Sequence, residues 1–106
     1  MDALIALCTC PDAATAERIA RALVDERLAA CVNRLSGVES MYRWNGAVQV
    51  DEEVLLMIKT TRARYAALEE RIVALHPYEV PEVIAVRIGE GYAPYLAWIA
   101  KETRAE

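Results

Sequence analysis

Two thiols two residues apart, Cys8 and Cys10, and a single imidazole, His76, are the side chains of this 106-residue chain best suited to soft-metal chemistry. Residues i and i+2 of an extended backbone leave the same face, so Cys8 and Cys10 point the same way. Both lie just before a predicted helix whose N-terminal dipole favours thiolate. Sulfur with imidazole suits copper or zinc better than magnesium or calcium. A bare C-x-C is a weak motif, and the competing reading makes Cys8 a small buried hydrophobe and Cys10 a loop residue. His76, in "ALHPYEVPE" at 74–82, reads equally as a metal ligand or as a helix-terminal residue that answers exposed carbonyls. Its neighbours Glu79 and Glu82 read as solvated loop charges.

Patterns that would make the chain an enzyme do not form around these residues. An acylphosphatase-type cradle after the first strand would need glycine and arginine, where the chain has "CTCPDAATAER". A cysteine phosphatase needs arginine six positions after its cysteine, and Ala16 and Gly37 stand six after Cys10 and Cys31. Serine-type acyl transfer would rest on His76 alone as base. The reading is therefore a protein that binds rather than converts.

The elements that must position the sulfurs and the imidazole follow from periodicity. The apolar run Ala3 to Leu7 is a strand covered on both faces, ended by Pro11 and Asp12. Ile19, Leu23, Val24 and Leu28 recur at helical spacing. Two strand arms, Val32 to Trp44 and Ala47 to Thr60, flank Asn45-Gly46, a dipeptide that tolerates the positive φ of a tight hairpin turn. Tyr65, Leu68, Ile72 and Leu75 mark a second helix, stopped at His76-Pro77 because a residue before proline avoids the helical region. Val83 to Ile88 is a further strand, and Pro94 opens a closing helix through "YLAWIA" that packs Leu96 and Ile99 inward.

This order, β-α-β-β-α-β plus a terminal helix, predicts an α+β fold of the ferredoxin-like type over residues 1–106 as one domain. In that topology the first and last strands are neighbours. Strand one ends where the second helix ends, which brings Cys8, Cys10 and His76 to one edge of the sheet.

Each arm of the hairpin is far longer than an ordinary strand of about 5–6 residues, and so small a domain cannot cover both. Tyr42, Trp44, Val48 and Val50 near the tip are then left in water beside an unpaired edge, which predicts self-association. Asp51, Glu52 and Glu53 read as a solvated or intersubunit polar patch, and Lys59 as an ion-pair partner for one of them.

Composition narrows the partners. Twelve Lys and Arg against 16 Asp and Glu give net charge -4 and a pI near 5.0. Such a balance argues against nucleic acid and against anionic membrane surfaces. The opening "MDALIALCTCPD" carries no basic region, and its apolar run is too short for a signal or a bilayer span. Three cysteines without paired zinc spacing fit free thiols in a reducing compartment, so a cytoplasmic protein is expected, with no structural disulfide and no cofactor required for folding.

Five segments, "ERLAACVN" at 26–33, "YRWNG" at 42–46, "LMIKT" at 56–60, "HPYEVPE" at 76–82 and "YLAW" at 95–98, occur in the order and spacing of the divalent-cation tolerance protein CutA family, which the chain resembles over nearly its whole length. The resemblance implies a ferredoxin-like subunit, a homotrimer held by intersubunit strand pairing, and a cytoplasmic role in tolerance of copper and other divalent metals. It also implies Cys8 and His76 as copper ligands. Leu75 stands where some relatives carry a second histidine, and Cys10 is a departure that offers a further sulfur. The trimer is similar in architecture to the PII signalling proteins, which keeps open a small-ligand sensor with intersubunit clefts lined by Trp44, Lys59 and nearby acids. A structural trimeric scaffold without metal chemistry is a further alternative.

Overall fold

Seven elements run along the chain in the computed structural model, which describes residues 2–105: β1 (Ala3–Cys10), α1 (Ala13–Asp25), β2 (Cys31–Trp44), β3 (Ala47–Thr61), α2 (Arg62–Leu75), β4 (Ile84–Arg87) and α3 (Ala93–Glu102). The sheet order is β2-β3-β1-β4, and every neighbouring pair is antiparallel. This is the expected α+β, ferredoxin-like arrangement with a long hairpin and a C-terminal helix. Among the described residues no helix is long and apolar enough to cross a membrane.

Local chemistry sets the joints. Asp12 caps α1 by accepting from the Thr15 amide at 2.7 Å, the usual role of a short acceptor side chain before a helix. Arg27, with φ of 60°, carries the chain out of α1 while the Leu28 and Ala29 amides both bond to the Leu23 carbonyl. Asn45 and Gly46 have φ of 51° and 78°, as the hairpin turn requires. At its far end α2 stops because His76, preceding Pro77, is extended.

Two strand boundaries matter for the site and for the sheet edge. β1 runs through Cys10, which pairs with Val54, and ends at Pro11 as the sequence predicts, so Cys10 is a strand residue and not the loop residue of the competing reading. The extra-long β3 supplies the ladder that keeps it extended. β4 is shorter than Val83 to Ile88; pairing on β1 covers only Ile84 to Arg87, and beyond it one bond from the Ile88 amide to the Ala3 carbonyl remains.

One face of the sheet carries the main core. Ala6, Cys8 and Cys10 of β1 and Leu56 and Ile58 of β3 meet Ile19 and Leu23 of α1 and Leu68 and Ile72 of α2. The opposite face is covered at its two ends, by Ile99 of α3 packed with Ala3 and Ala30 and at the Cys10 end, where Thr9 and Glu53 are buried. Between those ends Ile84 and Val86 are each 52% exposed.

The hairpin outruns the helices. A bulge sets Ser36 and Gly37 opposite Val54, between the pairs Leu35–Leu55 and Val38–Glu53, with Gly37 at φ of 77°; such bulges bend and twist a strand. Beyond it the tip stands clear on both faces, with Met41 71% exposed on one and Trp44 42% on the other. The molecule is accordingly elongated, 44 × 26 × 21 Å.

Candidate metal centre

The two-residue periodicity of β1 turns Ala6, Cys8 and Cys10 toward the helices, and both thiols are fully buried there. α2 delivers the third group. The His76 amide closes the helix on the Ile72 carbonyl at 2.9 Å, and the ring lies over the end of β1. Its Nε2–H donates to the Thr9 carbonyl at 2.8 Å, and its Nδ1 accepts from the Tyr78 amide at 3.1 Å. Because an amide can only donate, this pair of bonds assigns the neutral ring with its proton on Nε2.

The two sulfurs and a His76 ring nitrogen all lie within 4.8 Å of one another. The neighbouring Cys10 thiol pushes the Cys8 thiol far up, with burial adding to it, and the Cys8 S–H itself donates to the Thr9 carbonyl at 3.8 Å. Proximity to Cys8 pulls the Cys10 thiol down, against burial and the Glu53 charge.

A metal fits this donor set in type. Donors around a tetrahedral ion of zinc size sit roughly 3.5–4 Å apart, so the three groups need a contraction of well under a strand spacing. His76 has both ring nitrogens occupied, so ligation requires it to release either the Thr9 carbonyl or the Tyr78 amide.

A buried carboxylate adjoins the centre. Tyr78 OH donates to Glu53 Oε2 at 2.7 Å, and the Tyr78 and His76 rings lie 4.7 Å apart. Burial first, then the bond to Glu53, pushes the Tyr78 phenol up. Glu53 is therefore not the solvated charge expected from the acidic run; it is buried because it lies just past the end of β1, where Tyr78 closes over it. The sequence signal for this contact was Tyr78 itself, two residues after the imidazole.

Tyr42 and Trp44 lie near the hairpin tip and are exposed, Tyr42 donating to the Asp51 carboxylate. They do not meet the thiols. Lys59 does not pair with Asp51, Glu52 or Glu53; its ammonium donates to Asn33 Oδ1. Six strand residues separate Lys59 from Glu53, about 20 Å at 3.3 Å each, beyond the reach of a lysine. Glu79 and Glu82 are exposed, as expected.

Comparison with known proteins gives a consistent picture. A family model described as CutA1 divalent ion tolerance protein matches residues 4–102. The chain is similar to the divalent-cation tolerance protein CutA of Thermus thermophilus, 50% identical over 99 residues, covering 93% of this chain and 96% of that one. It is 47% identical to Protein CutA of Mus musculus over 94% of its own length but only 56% of the mouse chain. Among solved structures, CutA from Xylella fastidiosa superposes with a TM-score of 0.95 at 46% identity, covering 98% of this chain and 100% of that one.

Proposed function

The chain belongs to the CutA1 divalent ion tolerance protein family, and from that premise we propose that it is a trimeric, non-catalytic tolerance protein that binds copper through Cys8, Cys10 and His76. The observation that carries the metal reading is the convergence of two thiols and an imidazole within 4.8 Å. Thiolate and imidazole are soft to borderline donors and favour copper over hard divalent cations. Binding releases the thiol protons, so affinity rises with pH. Cys10 supplies the third donor that Leu75 does not. The three free thiols agree with a reducing, cytoplasmic setting.

Trimeric assembly is supported by the surface that a lone subunit leaves uncovered. Ile84 and Val86 stand on a bare sheet face, and Met41, Val48 and Val50 on the hairpin arms. β2 and β4 are the two open edges of the sheet, complementary in a cyclic assembly where one copy's edge pairs with the next.

Titration of copper(I) against a competing chelator tests the metal reading on the wild type and on Cys8→Ser, Cys10→Ser and His76→Ala, with circular dichroism as a check on folding. We expect each variant to bind at least about tenfold more weakly. Unchanged affinity in all three would end the idea. Loss for Cys8→Ser and His76→Ala alone would reduce the site to two donors.

A further inference from the structure

A groove of about 990 Å³ lies at the other end of the molecule, between the start of α2 and the last turns of α3. It adjoins the Ala3–Thr61 end of the β1–β3 ladder, seven residues from the Cys10–Val54 end, about 23 Å away at 3.3 Å per residue. It is therefore separate from the thiol and imidazole centre.

Its lining is cationic on an acidic protein. Among the described residues Arg62, Arg64, Lys101 and Arg104 face one acid, Asp2, a local excess of three positive charges on a chain of net charge -4. Helix stability does not account for two of them. Arg62 and Arg64 occupy the first turn of α2, where the helix dipole disfavours cations. Both are anchored through Nε, Arg62 to Asp2 at 2.9 Å and Arg64 to the Arg27 carbonyl at 3.3 Å, which leaves their terminal nitrogens as donors for a ligand. Among the described residues Lys101 and Arg104 have no hydrogen-bond or ion-pair partner. The floor between the charges is small and apolar, with Ala97 and Ala100.

We propose that this groove binds a small phosphorylated molecule carrying two or more phosphates. Arginine forks match phosphate oxygens two at a time, and an excess of three charges suits a diphosphate better than a single carboxylate. A cavity of this size admits a small molecule, and the chain's negative charge disfavours an extended polyanion such as nucleic acid. The inference does not depend on the metal reading.

Calorimetric titration with inorganic pyrophosphate at physiological ionic strength tests it, on the wild type, on the double variant Arg64→Ala/Arg104→Ala, and on Ala97→Leu, which narrows the groove without removing a charge. These positions lie outside the main core, so the variants are expected to fold. The expected result is saturable binding to the wild type at one site per chain, weaker by at least about tenfold in the double variant, as loss of charge-assisted bonds implies, and weakened again in Ala97→Leu. Absence of saturable binding to the wild type, or equal binding by wild type and double variant, overturns the proposal. So does retention on phosphatidylglycerol vesicles without pyrophosphate binding, because the phosphate chemistry would then be that of a lipid surface.

Discussion

At the scale of single residues, His76 is held twice before any ligand arrives, by the Thr9 carbonyl and the Tyr78 amide. A buried ring with both nitrogens satisfied is stable without metal, which explains how the same residue can close a helix and still be on hand as a donor. Asp12 gives a clean titration at this scale. The Thr15 amide bond holds its carboxyl below the ordinary value of 3.8, so its stabilising effect is fully present above that value and is lost as pH falls through the lower, folded-state value. Thermal midpoints measured across the acid limb should fall less steeply in Asp12→Asn, which keeps an acceptor oxygen but cannot titrate. Some slope should remain, because Arg62 holds Asp2 down in the same way.

Among the elements, the hairpin is the one that departs from the ordinary. Its bulge at Ser36–Gly37 depends on a backbone that only glycine adopts cheaply: Gly37 sits at φ of 77° with open space around it. A side chain there meets no neighbour, so any cost is conformational. We expect Gly37→Val to destabilise the protein by about 1–2 kcal/mol, whereas Gly89→Ala, which has neither positive φ nor a close neighbour, should be near neutral. Denaturant unfolding at one fixed protein concentration separates the two; equal midpoints would show that the bulge is not held by its glycine. The element order, the Asn45-Gly46 turn and the stop at His76-Pro77 were all legible from periodicity and turn chemistry. So was the end of β1 at Pro11 and Asp12; the extent of β4 was not, because only Ile84 to Arg87 find ladder partners on β1.

For the molecule as a whole, the uncovered sheet face and the overreaching hairpin make assembly the scale at which the surface is explained. Interfaces of stable oligomers bury on the order of 1,000 Å² or more, and a lysine on such a face is buried without a partner. Ile84→Lys and Val86→Lys should therefore shift the proposed trimer toward monomer or aggregate in light scattering coupled to size exclusion, while Val73→Lys, on the exposed side of α2, should leave it unchanged. A wild type that runs as a monomer would remove the trimer proposal altogether.

Sequence alone determined the order of elements, the fold class, the family resemblance and the residue types of the candidate centre, because helix and strand periods, proline and glycine constraints and soft donors are all local properties. Tertiary structure decided what depends on where the chain returns. It placed both thiols inside the core rather than one in a loop, buried Glu53 under Tyr78, and gave Lys59 to Asn33 instead of to the acids farther along its own strand. It also drew Arg62 and Arg64 of α2, Lys101 of α3 and Arg104 just beyond it into one groove from parts that lie far apart in the chain. Distances along a chain say little about distances across a sheet, and it is the ladder pairing that converts one into the other.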